Sequence, residues 1–162
     1  MPIITPFTAY LILTNPYNDL HAQDITLVSG FEFRIVRPAV PEFFTLSTVF
    51  NGFAINVGTD PDFVVGFNEP VIVPENGAAL LITFLFMVTQ ENPMYIYLDQ
   101  TDLPIVPGAM AIIDGSQSYP DPEAVQAVYP VSGDFANPVF GINADVVANE
   151  TKSWGSVKSL YR

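Results

Sequence analysis

Proline and glycine set the first limit on what this chain can become. Fifteen prolines and ten glycines are spread along 162 residues, which leaves few stretches long enough for an ordinary helix. The segments between them are short and rich in strand formers. Thr8–Leu13 reads as an opening strand, stopped by the turn chemistry of Asn15-Pro16-Tyr17-Asn18-Asp19. Asp24–Arg37 reads as a long second strand. Its middle, Phe31-Glu32-Phe33-Arg34-Ile35, alternates apolar and charged residues and predicts one buried and one wet face. Phe43–Val49 and Phe53–Val57 flank Asn51-Gly52, a hairpin signal. Phe63–Phe67 follows the turn Thr59-Asp60-Pro61-Asp62. Met94–Leu98, Ala109–Asp114 and Val139–Val147 complete the strands, and Asp121-Pro122-Glu123 has the residues to cap a short helix.

Ala78–Val88 is the most hydrophobic segment. Strict alternation turns Leu80, Ile82, Phe84, Phe86 and Val88 to one side and Ala79, Leu81, Thr83, Leu85 and Met87 to the other. Both sides are apolar, so both need cover. A two-layer sandwich covers only one. The expected fold is all-β: a two-sheet antiparallel sandwich of jelly-roll type, with about nine to eleven strands and a short C-terminal amphipathic helix or extended tail. One domain spans residues 1–148, and residues 149–162 form a distinct tail.

Charge separates those two parts. Seventeen acids face five bases, a net −12. All the acids lie in residues 1–151, which hold only two bases, Arg34 and Arg37, for a net −15. That balance argues against nucleic-acid partners and anionic membrane surfaces, which call for a basic footprint. Residues 152–162 carry the other three bases, no acid, and the single tryptophan. Trp154, Val157, Leu160 and Tyr161 have helical spacing, with Lys158 and Arg162 in the last turn where they suit the helix dipole. Gly155 costs about 1 kcal/mol of helix propensity, so order in this tail is expected to come from docking. Three readings stand: docking on its own domain, docking on a neighbouring subunit, and a tag read by a secretion or anchoring system.

The run Thr8-Ala-Tyr-Leu-Ile-Leu-Thr-Asn-Pro16, then Gly30-Phe-Glu-Phe-Arg-Ile35, and later Gly77-Ala-Ala-Leu-Leu-Ile-Thr-Phe-Leu-Phe86 resemble strands of the cohesin-like β-sandwiches of secreted bacterial proteins. These are related in shape to some carbohydrate-binding modules. The resemblance implies a recognition role, and it carries over no recognition residues. The ending Ser153-Trp-Gly-Ser-Val-Lys-Ser-Leu-Tyr-Arg162 is similar to C-terminal endings of secreted proteins of environmental bacteria, which implies export or a surface role. Scarce lysine, many prolines, thirteen Phe and seven Tyr also suit an extracellular β-domain. Met1-Pro2 lacks a basic start and a cleavage pattern. The expected location is therefore extracellular or on the cell surface, after removal of a signal peptide not present in this chain. No apolar run reaches the roughly 18–20 residues of a membrane span.

Candidate chemistry is sparse. Without cysteine, thiolate metal sites, disulfides and cysteine nucleophiles are excluded. His21, the lone histidine, sits in a polar turn with no glycine-flanked serine elsewhere to activate. Acidic pairs occur at Asp60/Asp62, Asp99/Asp102 and Asp121/Glu123, and a glycosidase would need two carboxylates set across a sugar cleft. Calcium takes several oxygen ligands from loops. Asn56, Asp60 and Asp62, with Asp99 and Asp102, are its candidate ligands, next to the plainer reading of solvated turn acids. Tyr95 and Tyr97 serve either as a sugar-stacking platform or as a protein contact beside Leu81 and Leu85.

The expectation from sequence is a non-enzymatic extracellular structural or interaction protein without an obligatory cofactor. It self-associates as a homo-oligomer or polymer, as a fibre or layer. The interface residues are Trp154, Val157, Lys158, Leu160, Tyr161 and Arg162 of the tail, with Leu81, Leu85, Tyr95 and Tyr97. The alternative is a recognition module for a carbohydrate or a partner protein.

Overall fold

A computed structural model describes residues 4–116 and 124–144. They form twelve strands: β1 Phe7–Thr14, β2 Tyr17–Asn18, β3 Gln23–Asp24, β4 Leu27–Val36, β5 Phe43–Phe50, β6 Ala54–Asn56, β7 Asp62–Ile72, β8 Ala78–Val88, β9 Met94–Asp99, β10 Met110–Asp114, β11 Val125–Val128 and β12 Phe140–Ile142. The architecture is the expected all-β, two-sheet antiparallel sandwich. A small sheet runs β1-β8-β5 and a large one β11-β10-β4-β7-β6. One edge of β4 pairs β7; the other is shared end to end, with β10 alongside Val28–Glu32 and β9 alongside Arg34–Val36. β12 extends β9, and β2 and β3 form a separate two-stranded ribbon.

The core is built from phenylalanine. Phe31, Phe33 and Ile35 descend from β4, and Phe84 and Phe86 from β8. Phe33 stacks on Phe63 of β7 at 5.2 Å, and Phe63 meets Phe84 of the opposite sheet edge-on at 6.1 Å. Each such ring removed from water contributes about 1.5–3 kcal/mol. Gly30 sits where β7 comes closest. A Cβ there would stand 2.6 Å from the Val65 carbonyl oxygen, so the strand pair demands glycine at this point.

Several local expectations are corrected. Asn51-Gly52 does not close a hairpin: it carries the chain from β5 in the small sheet to β6 in the large one. Asn51 is anchored across the sheet instead, its N–H on the Leu81 carbonyl and its Nδ2 on the Leu80 carbonyl. The second strand breaks after β3, and β4 begins at Leu27. β7 continues through Pro70 to Ile72 because its pairing with β4 is interrupted there, where a missing N–H costs little. β12 stops at Ile142, with Asn143 at a φ of 52°. β11 had no counterpart in the sequence reading. The capping segment 121–123 and the tail lie outside the described residues.

The outward face of β4 is covered at Glu32. Glu32 is buried and accepts the Ile105 N–H at 2.6 Å, so the β9–β10 loop lies over it.

Candidate functional site: a charge-free sheet and an open seam

The three strands of the small sheet contain no charged residue. Their inner faces form half of the core. Their outer face presents Tyr10, Ile12, Phe44, Leu46 and Val49, between 41% and 61% exposed, with Leu85 and Met87 half-buried between them. Extended exposed apolar faces are uncommon on monomeric domains.

β8 does not alternate strictly. Leu11 pairs with Ile82 and Ile12 with Leu80, so Leu81 is an extra residue and the phase shifts. Leu81 and Ile82 both turn inward, at 4% and 0% exposure. Leu81 is therefore a core residue, which corrects its expected place on the outer face; Leu85 is on that face. Tyr95 and Tyr97 are not beside them. β9 belongs to the large sheet, and the buried Met94 and Ile96 leave its tyrosines on that sheet's outer side. There they border a depression of about 320 Å³ together with Arg37, Glu42 and Asn92.

The two sides where the layers meet differ. Beside β5, Phe50 reaches Phe31 at 6.5 Å and Phe63 at 6.4 Å, which fills the space. Beside β1 the layers leave a cleft of about 590 Å³. Its floor includes Phe31, Phe84 and Ile112, and its rim runs continuously along Ala9–Thr14 and, opposite, Ala127–Val131. Ala9, Leu11 and Leu13, which point inward from β1, are only half-buried. Phe140 closes the foot by stacking on Phe7 at 6.2 Å. At the top, buried Asn18 donates to Asp114 Oδ2 at 3.0 Å, and Asp114 Oδ1 accepts the Ser116 hydroxyl at 2.5 Å. Sequence reasoning found β1 as the opening strand but missed the cleft. The available signal was an eight-residue strand with neither charge nor proline, the usual edge protections.

The proposed calcium ligands gather around arginine. Arg34 Nε and Nη2 donate to the two carboxylate oxygens of Asp62 at 2.7 and 3.0 Å, and Nη2 reaches Asp102 Oδ1 at 2.6 Å. The hydrogen bond from Arg34 is the main reason the Asp62 carboxyl lies below its usual range, and the bonds to Asp62 and then Asp102 push the Arg34 guanidinium up. Asp60 pairs with Arg37. Asn56 Oδ1 accepts the Gly58 and Val64 N–H groups, and Asp99 Oδ1 accepts that of Gln100. Among the described residues, no group of three or more Asp, Glu or His side chains is placed to hold a metal ion. His21 is exposed in the turn between β2 and β3, its N–H on Asn18 Oδ1. The tail residues Trp154, Val157, Lys158, Leu160, Tyr161 and Arg162 lie outside the described residues. No described helix is long and apolar enough to cross a membrane.

Searches of family models, curated proteins and solved structures returned no match. The fold and this site define the class: a compact all-β, two-sheet antiparallel sandwich, with no metal- or cysteine-based catalytic site among its described residues.

Proposed function

We propose that this chain is a non-enzymatic interaction protein of a bacterial cell surface that associates with copies of itself. One observation carries the reading: the small sheet has no charged residue on either face, in a chain of net charge −12. The inner face needs to be apolar for the fold. The outer face does not, and its apolar character supports a contact with another protein surface. A second copy is the partner this chain itself supplies. Acidic bodies repel one another, and the basic segment 152–162 offsets that repulsion. A contact between the tail of one copy and the sheet of the next is heterologous and builds a filament unless its rotation closes a ring.

Light-scattering mass and negative-stain microscopy test this. The full chain is expected to form oligomers or filaments. The double variant Ile12→Lys/Val49→Lys, which charges only exposed positions, is expected to be monomeric, as is a chain ending at residue 151. A monomeric full chain across the accessible concentration range overturns the reading.

The depression beside Tyr95 and Tyr97 supports a second reading, glycan recognition, because it sets aromatic rings next to the polar groups of Arg37, Glu42 and Asn92. Saturable binding on a glycan array, lost in Tyr95→Ala and Tyr97→Ala, would favour it.

A further inference from the structure

The cleft beside β1 has the form of a strand site. Its rim follows one edge of β1 from Ala9 to Thr14. β1 pairs only β8 among the described strands, so its other edge offers backbone donors and acceptors along its length. Behind that edge lies the cleft of about 590 Å³ with its apolar floor. A strand laid on β1 would satisfy the edge and send alternate side chains into the cleft, the mode of β-strand addition.

Where the chain leaves the sandwich points to the occupant. Asn143 Nδ2 donates to the Gln90 carbonyl just past β8, and Ile4 N–H bonds to the Val88 carbonyl. With Phe140 stacked on Phe7, the described chain ends at Ala144 by the foot of β1. Residues 145–162 reach up to about 60 Å when extended, and β1 is roughly 26 Å long. Length therefore permits docking on the same molecule or on a neighbour.

Charge selects between this segment and a second β1. The described residues hold two bases, Arg34 and Arg37, and both are paired to aspartates. Asp19 lies on the cleft rim. Pairing β1 with β1 of another copy brings two acidic bodies together, whereas segment 152–162 brings three bases and no acid. Lys152, Lys158 and Arg162 also share one parity. In an extended segment they fall on one face, while Gly155, Val157, Ser159 and Tyr161 fall on the other. The uncharged face suits the cleft. The other face sets Trp154 and Leu160 level with Tyr10 and Ile12 on the outer side of the sheet.

We propose that the C-terminal segment 145–162 docks as an added strand on the free edge of β1 and fills the cleft between the sheets. This deepens the self-association reading, which rests on the same small sheet, by naming the segment and its seat.

The chain has no cysteine, so introduced pairs report contact without background. Ser156→Cys is combined in turn with Thr8→Cys, Tyr10→Cys, Ile12→Cys and Thr14→Cys in the full chain, with Ser156→Cys/Val49→Cys as the control across the sheet. Oxidised samples are compared without reductant. Crosslinking is expected at one or two β1 positions and not at Val49. Absence of a crosslink at every β1 position, or equal crosslinking at Val49, overturns the proposal. Hydrogen exchange supplies an independent readout. Trp154→Ser/Tyr161→Ser is expected to speed exchange of the outward β1 amides at least tenfold, and unchanged protection overturns the proposal. The two readings fail separately. A β1 crosslink in a chain that light scattering shows to be monomeric supports the strand site and removes self-association. Oligomers by light scattering without any β1 crosslink keep self-association and remove the strand site.

Discussion

The β5 side and the β1 side of the sandwich use the same materials differently. Each is bounded by an eight-residue strand without charge, FFTLSTVF at β5 and FTAYLILT at β1. At β5 the inward residues meet rings from the other layer, and Phe50 lies against both Phe31 and Phe63. At β1 they are Ala9, Leu11 and Leu13, with a cleft of about 590 Å³ behind them. Size accounts for much of the difference. An aromatic ring spans the gap between layers that Ala and Leu leave open. Edge geometry adds to it. Both pairings with β8 carry a register shift, but the extra residue beside β1 is Leu81 on the central strand, whereas beside β5 it is Leu46 on the edge strand itself, where a bulge twists the edge away from regular pairing. Both are edge strands, but the space behind β5 is filled and the space behind β1 is open.

The contrast can be broken by mutation. The largest effect is expected for Phe63→Ala. This ring stacks on Phe33 and joins the two layers through Phe84, so its loss should cost about 3–5 kcal/mol in urea unfolding. A cost near 1 kcal/mol would mean the β5 side is not tightly packed. Next comes Asn18→Ala at the top of the cleft. It removes the donor to buried Asp114 and the acceptor for the Leu20 and His21 N–H groups, and should lower stability by about 2 kcal/mol. Leu11→Ala on the open side removes a half-buried side chain beside existing space. About 1 kcal/mol is expected there, and a cost equal to that of Phe63→Ala would show that the β1 side is as closed as the other.

The smallest effect concerns the outer ion pair and its pH dependence. Arg34 holds the Asp62 carboxyl below its ordinary value of 3.8. A carboxyl that is more acidic folded than unfolded contributes its full stability above the ordinary value, and that contribution fades as pH falls through the folded value. Asp62→Asn should therefore cost no more than about 1 kcal/mol above about pH 5. The difference from the parent chain should shrink in more acid solution. Thermal melts across pH 2–7 check the sign, and a difference that grows toward acid would contradict the pairing.

Part of this was legible from residues alone. The residues of Ala78–Val88 mark a strand apolar on both sides, and alternation in Phe31–Ile35 places its phenylalanines on the core face. Alternation is a local property, so it survives without knowledge of partners. The same rule misplaced Leu81, because a bulge set by pairing with β1 shifts the phase by one residue. It also misread Glu32 as wet, since the loop that covers it lies 73 positions away at Ile105. For the acidic pairs, sequence proximity suggested a cation, and the fold brought Arg34 between Asp62 and Asp102.

Sequence by itself determined the class of fold, the uncharged character of three strands and the basic tail opposite an acidic body. These follow from composition and from the spacing of proline, glycine and alternating residues. Only the tertiary structure decided that those three uncharged strands form one sheet, that Asn51-Gly52 crosses between layers, and that one side of the sandwich stands open. Such facts depend on which distant strands pair and on how side chains from opposite layers fill the space between them, and no local pattern encodes either.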